Sequence, residues 1–192
     1  MKKKLMCVVL AAAMVLGLVG CGNKQAKEEA TVKTPVASSD ELLNKVWETF
    51  GEDRKFPAMG GDFSNPVDNG AGIFNIADTE NLTYMLFIPA ENVGMIDEAA
   101  SLIHAMNTNT FTAAAFHLTD AANADTLVQA LKNNITTTQW MCGFPDKLVI
   151  FTVNGEYVVS AFGNAEIMDN FKTKLAEVYG EGAVLEVEEN LI

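Results

Sequence analysis

Two histidines and one cysteine carry the side chains best suited to nucleophilic catalysis or transition-metal binding. With a nearby acid, His104, His117 and Cys142 would make a Cys/His pair or a zinc site. Thirteen residues separate the two histidines and 25 separate His117 from Cys142, which is not the spacing of a local metal motif. Cys142 also lies in the mostly apolar run 140–144, as a small buried hydrophobic residue does. We therefore expect no metal, no cofactor and no catalytic nucleophile here.

A loop rich in Asp and Asn, Arg54 to Gly72, offers oxygen atoms of the kind that surround Ca²⁺. The donors are Asp62, Asn65, Asp68 and Asn69. Their spacing differs from that of an EF-hand loop, and Asx side chains in turns usually bond to their own backbone. The Gly- and Pro-containing dipeptides of this loop predict an irregular connection, in which we expect structural roles for these residues.

Recognisable catalytic and phosphate-binding motifs are missing from the sequence. There is no Gly-x-Ser-x-Gly elbow and no Ser-x-x-Lys. Gly70-Ala71-Gly72 is not followed by the third glycine or the Lys-Ser/Thr of a phosphate loop. The paired carboxylates of a glycoside hydrolase stay open, because spacing in sequence says little about separation in space. With 25 acidic residues, some pair will look suitable by chance.

Three aromatic residues are candidates either for the core or for a binding surface. Trp47 lies on the apolar face of a predicted helix, which favours core packing. Trp140 and Phe144 lie near a predicted loop, where exposed rings often mark a binding surface. Core packing is the favoured interpretation for these two as well.

The first twenty residues have the composition of a targeting segment. Three lysines precede Leu5–Val19, an uncharged and mostly apolar run of 15 residues. A membrane-spanning helix needs about 20 residues, so this run is typical of the core of a signal peptide. It ends in Leu18-Val19-Gly20-Cys21, with small residues directly before a cysteine.

This ending resembles the lipobox of bacterial lipoproteins, and all its parts occur in the right order. The resemblance implies cleavage before Cys21, a diacylglyceryl thioether on Cys21, and a lipid-anchored position on the extracytoplasmic face of the cell membrane. Two or more acyl chains make such an anchor stable. The alternative is an uncleaved anchor, or ordinary secretion with an unrelated cysteine.

Removal of residues 1–20 would change both the charge and the cysteine content. It would leave 10 basic and 25 acidic residues, a formal net charge of −15, which nucleic acid and anionic lipid head groups would repel. Cys7 leaves with the signal and Cys21 takes the lipid, so Cys142 has no disulfide partner within the domain. Residues 21–37 predict a flexible polar tether, and residues 38–192 predict one domain with a packed core.

Apolar residues at helical spacing predict four helices: one capped by Ser38 and Glu41, Asn92–Met106, Ala124–Ile135, and one between Asn164 and Gly180. The apolar run Leu82–Ile88 is too short to assign.

The dipeptide Asn154-Gly155 gives the clearest prediction of local structure. It tolerates the positive φ angles of a type I′ turn, and it separates the β-rich runs Leu148–Val153 and Glu156–Phe162. Residues 148–151 are apolar throughout, which predicts a central strand. Phe111–Leu118 and Ala183–Val187 predict a further strand and an edge strand. We expect a two-layer α+β domain, an antiparallel sheet with a central β-hairpin and helices mainly on one face.

The order of elements from Asn92 through Leu175 resembles a family of uncharacterised lipoproteins of Gram-positive bacteria. The shared features are a helix ending near Ala105-Met106-Asn107, the strand Thr110–Leu118, a helix of the Leu127–Ile135 type, and the hairpin in Lys147–Phe162, followed at once by a helix. The resemblance covers roughly half the chain. It implies an α+β domain of unknown function and carries over no functional residue.

The predicted position on the outer face of the membrane and the absence of catalytic motifs together favour a non-enzymatic binding or interaction module of the cell envelope. It would be attached to the membrane through Cys21, with an unidentified envelope protein or small molecule as its partner. The alternative is an envelope hydrolase with an unrecognised acidic active site. Converging acids or histidines in a cleft would favour the hydrolase, whereas an exposed apolar patch would favour the binding module.

Overall fold

The turn at Asn154-Gly155 joins two central strands, as predicted. In the computed structural model, which describes residues 33–141 and 143–192, both residues have positive φ angles, 56° and 76°. The connection is one residue longer than predicted, because Val153 lies opposite Tyr157 and Glu156 belongs to the turn. The Glu156 N–H donates to the Val153 carbonyl at 3.2 Å. In the predicted register the exposed Glu156 would take the place of the buried Tyr157.

The described residues form one antiparallel sheet of eight strands: β1 Ala58–Gly60, β2 Val67–Asp68, β3 Gly72–Phe74, β4 Ile96–His104, β5 Phe111–Leu118, β6 Lys147–Val153, β7 Tyr157–Gly163 and β8 Ala183–Asn190. The strand order is β2-β1-β4-β5-β7-β6-β8, with β3 paired to β4. The predictions of β5, of a central β6 and of the edge strand β8 are confirmed. The fold is therefore α+β with an antiparallel sheet and a central hairpin.

Helices cover both faces of this sheet: α1 Ser39–Glu48, α2 Thr79–Leu86, α3 Ala124–Thr137 and α4 Ala165–Tyr179. On one face, α1 and α4 pack against alternate strand residues such as Val149 and Phe151. On the other, α2 and α3 pack against the intervening ones, such as Leu148 and Ile150. This corrects the expectation of two layers with helices mainly on one face. Since β6 buries residues that point to both sides, each face of the sheet needs an apolar cover.

The prediction of a helix over Asn92–Met106 is wrong. Ala90–Met95 forms a 3-10 helix, and Ile96–His104 is strand β4. The five consecutive residues Ala99–Ile103 are all buried, because β4 lies inside the sheet with both faces covered. Apolar and polar residues do not alternate along a strand that is buried on both faces. Its sequence therefore also fits the apolar face of a helix.

The N-caps predicted at Ser38 and Asn164 are present, but the Glu41 half of the predicted capping box is not found among the described residues. Ser38 Oγ accepts from the Glu41 N–H at 3.4 Å, while the Glu41 carboxylate forms an ion pair with Lys45 at 2.5 Å. The Asn164 side chain accepts from the Glu166 N–H, and α4 stops at Gly180, whose φ is 52°. Both caps satisfy backbone groups that a helix terminus leaves without partners.

Two segments that the sequence left unassigned or irregular have regular structure. Most of Leu82–Ile88 belongs to α2, whose first turn is capped by Asp78, and the loop Arg54–Gly72 contains β1 and β2. The described residues, 33–141 and 143–192, belong to one compact unit. No helix in the described part of the chain is long and apolar enough to cross a bilayer. The predicted signal segment, Cys21, the tether up to residue 32, and Cys142 lie outside the described residues.

Candidate binding cleft

A large apolar cleft opens on the side of the sheet that α2 and α3 cover. Its volume is about 1070 Å³, at the upper end of the range usual for small-molecule sites. It lies over the strand ends opposite the Asn154-Gly155 turn. Helix α2, the end of α3 and the segment after α3 form its walls.

The floor of the cleft is one row of residues that face each other across four strands. Met59 of β1 lies opposite Ile103 of β4, Ile103 opposite Thr112 of β5, and Thr112 opposite Phe162 of β7. All four line the cleft. Three interstrand spacings make this row roughly 14 Å long. The sheet therefore supplies a rigid, mostly apolar base.

Phe87, at the end of α2, shapes one wall. Its φ of 59° is left-handed, which is unusual for a bulky residue and marks a backbone held in place by its surroundings. The Phe87 ring centroid lies 5.3 Å from that of Trp140 and 5.1 Å from that of Phe162. The Asn134 side chain donates to the Phe87 carbonyl at 2.7 Å. These contacts join α2, α3 and the floor into one aromatic corner.

The rim carries large apolar side chains that are open to solvent. Phe63 is 67% exposed, Tyr84 76% and Met141 91%, and all three line the cleft. Met59 and Met85 also belong to the lining. Methionine and exposed aromatic side chains adapt to different apolar partners, and side chains of this kind concentrate at binding surfaces.

Charged groups among the described residues of the cleft are few. Asp62, only 6% exposed, is one of two carboxylates in the lining, and the other is Glu80 on the rim. Asp62 accepts hydrogen bonds from the backbone N–H groups of Ser64, Asn65 and Asn75 at 2.8–2.9 Å. Burial disfavours the charged form of Asp62, but these donors outweigh it and lower the pKa of its carboxyl group. Asp62 is therefore ionised at neutral pH.

Thr83, on α2, adds a hydroxyl group to the wall. Its Oγ1 is buried and has no hydrogen-bond partner among the described residues. A buried hydroxyl without a partner is uncommon, because such a group normally forms at least one hydrogen bond.

The structure does not bring the two histidines together. His104 pairs with Ala58 at one end of β4, whereas His117 lies opposite Glu98 near the other end, roughly 20 Å away by strand rise. His104 Nδ1 accepts from the backbone N–H groups of residues 106 and 107, and His117 Nδ1 lies 2.5 Å from Asp97 Oδ1. Neither histidine lines the cleft.

Of the Asx residues of the loop, Asp62 has the expected structural role, because its carboxylate accepts from the N–H groups of the turn that follows it. The main-chain carbonyl of Asn69 accepts from Trp47 Nε1 at 2.9 Å. Among the residues that the structure describes, no three Asp, Glu, His or Cys side chains come together as a metal site.

The aromatic candidates have different surroundings. Trp47 is buried in the core beneath α1, as expected. Trp140 is half-buried, packs against the core between the sheet and helices α2 and α3, and lines the cleft. Phe144 is 63% exposed outside the cleft, so the core-packing interpretation is wrong for this residue. Sequence reasoning missed Phe63, Tyr84 and the other cleft residues, because they come together only through the packing of α2. The one available signal was Phe63, an apolar ring in a turn-rich loop.

No protein-family model, no curated protein and no solved structure matches the chain. The resemblance to a family of Gram-positive lipoproteins stays a prediction.

Proposed function

We propose that this chain is a lipid-anchored extracytoplasmic lipoprotein whose folded domain binds a small, mostly apolar ligand in the cleft. The cleft carries the proposal: an apolar floor, an aromatic corner and solvent-exposed aromatic and methionine side chains on its rim. Covering such surface with an apolar ligand is favourable by about 25 cal/mol per Å². The membrane anchor through Cys21 rests on the lipobox-like sequence.

The polar content of the cleft supports binding rather than hydrolysis. Acid–base hydrolysis needs a proton donor and a base in one site. Among the described residues of the lining, Asp62 and Glu80 are the only acids and none is a histidine. Asp62, with its lowered pKa and three backbone donors, is a poor proton donor at neutral pH. No observation favours the envelope hydrolase.

The binding proposal is tested with residues 21–192 carrying Cys21→Ser, so that neither lipid nor detergent competes for the cleft. Titration with N-phenyl-1-naphthylamine, a neutral fluorescent dye, should give saturable binding. Tyr84→Ser should weaken that binding about 5- to 30-fold, the equivalent of ~1–2 kcal/mol. Phe144→Ser is the matched control, because Phe144 is also exposed but lies outside the cleft. Equal losses in both variants would contradict the assignment of the cleft.

The anchoring proposal has a separate test. Cells that express the full chain should incorporate radiolabelled palmitate into it, and Cys21→Ala should abolish the label and release the protein or leave it as a longer precursor. Label that persists on the Cys21→Ala protein would overturn the anchor without affecting the cleft.

A further inference from the structure

Asp62 is a buried negative charge that no cationic side chain balances. Among the described residues it forms no ion pair, and none of the described residues lining the cleft is Lys, Arg or His. Buried charges in proteins are usually paired with an opposite charge. The three backbone N–H groups keep Asp62 ionised, but they do not cancel its charge.

The hydrogen-bond donors of Asp62 are all neutral. Its Oδ1 atom accepts from the N–H groups of Ser64 and Asn65, its Oδ2 atom accepts from the N–H group of Asn75, and the Asn65 side chain also hydrogen-bonds to the carboxylate. A charged N–H donor makes shorter and stronger bonds to a carboxylate than these neutral donors do.

The rest of the cleft fits a cation better than an anion. Glu80 adds a second negative charge on the rim, and the aromatic faces of Phe63, Tyr84 and Trp140 attract cations through their quadrupoles. The chain as a whole has a formal net charge of −12, so the surrounding potential is also negative. An anionic or zwitterionic ligand would place a negative group against Asp62 or Glu80 without a compensating base.

We propose that the ligand of the cleft is a small apolar ammonium ion, whose charged nitrogen binds the Asp62 carboxylate and whose hydrocarbon part covers the floor residues Ile103, Thr112 and Phe162. This inference rests on the proposed binding function and adds the charge and shape of the ligand. The nitrogen donates to the Asp62 carboxylate, and the apolar part extends towards the corner formed by Phe87 and Trp140.

The experiment compares three probes of equal chain length, n-octylammonium, n-octanol and octanoate, by titration calorimetry on residues 21–192 carrying Cys21→Ser. Octylammonium should bind at least about tenfold more tightly than octanol, and octanoate should bind most weakly. The preference for the cation should shrink as salt is added, because rim charges such as Glu80 are screened. Equal binding of octylammonium and octanol, or tighter binding of octanoate, would overturn the ammonium proposal but leave the apolar cleft in place. If none of the three probes binds, both the ammonium proposal and the proposed binding function are wrong.

Single substitutions identify which acidic residue gives the cleft its preference for the cationic probe. Asp62→Asn should remove most of the preference for octylammonium over octanol, and Glu80→Gln should reduce it about twofold. Glu156→Gln is the matched control, since Glu156 is an exposed acid in the turn at the opposite end of β7. If Asp62→Asn does not fold, the wild-type probe series and Glu80→Gln still decide the outcome. A preference that survives in a folded Asp62→Asn protein would contradict the role of Asp62.

Discussion

The side-chain amide of Asn134 donates a 2.7 Å hydrogen bond to the main-chain carbonyl of Phe87. Asn134 lies near the end of α3, and Phe87 is the left-handed residue at which α2 stops. Together with the ring contacts of Phe87, this hydrogen bond holds together the two helices that form the walls of the cleft.

Asn134→Ala should loosen this corner. We expect a loss of about 1 kcal/mol in the free energy of unfolding, because the Phe87 carbonyl is left without its partner. The Trp140 ring packs against Phe87, so its fluorescence should change as well. Chemical denaturation with fluorescence detection measures both effects. Asn133→Ala, at an exposed position one residue away, should not lower the free energy of unfolding, because Ala favours a helix more than Asn does. A similar loss there would contradict the role of the hydrogen bond.

Asp62 should make the stability of the domain sensitive to acid. Its folded-state pKa is lowered from the ordinary value of 3.8, so its contribution is complete well above that pH and is lost as the pH falls through the folded-state pKa. Asp62→Asn, whose amide nitrogen cannot accept from the Asn75 N–H, should cost about 1–3 kcal/mol at neutral pH. The difference in melting temperature between the two proteins should narrow below about pH 4. A constant difference down to pH 2 would contradict the role of the charged form.

The hairpin turn should respond differently at its two central positions. Gly155→Val forces a β-branched residue to a φ of 76° and should cost about 1–3 kcal/mol, although nothing lies within 4 Å of the position a Cβ would take. Asn154→Gly keeps the backbone but removes the bond from Asn154 Nδ2 to the Thr34 carbonyl at 2.9 Å, so we expect a loss of about 1 kcal/mol. Thermal melts of both variants test these values. An unchanged melting temperature for Gly155→Val would show that the turn is not left-handed in solution.

Tyr179 links the two helices on the other face of the sheet. Its hydroxyl donates to the Leu42 carbonyl at 3.1 Å, and burial raises the pKa of the phenol, which stays protonated as a donor. Tyr179→Phe should lower the free energy of unfolding by about 0.5–1.5 kcal/mol. Tyr84→Phe, at a residue that is 76% exposed, is the control and should be neutral in the same denaturation experiment. A loss confined to Tyr84→Phe would contradict this account.

The parts of the fold that the sequence predicted correctly are those with a local cause. A capping side chain at Ser38 or Asn164 and the turn at Asn154-Gly155 act within a few residues of themselves. Strand β4 was predicted as a helix because burial on both faces removes the alternation that identifies a strand. The number of layers was predicted wrongly for the same reason, because it depends on which faces of the sheet are covered by helices that are distant in sequence.

The cleft was beyond local reasoning for a related reason. Its floor is a register across four strands, and its corner joins Phe87, Trp140 and Phe162, which are far apart in sequence. From the sequence, Asp62 was considered only as a calcium ligand. Its buried position in the cleft lining could not be predicted, because it depends on backbone donors that surround the carboxylate only in the folded domain.

The contacts of Thr34 show where the chain enters the folded domain. Thr34 bonds to Val178 and to Asn154, so the chain enters the domain at the turn end of the hairpin. The cleft lies over Phe162, at the opposite end of β7, roughly 20 Å farther along the strand. Chain entry and the cleft therefore lie at opposite ends of the hairpin, and none of residues 33–37 lines the cleft.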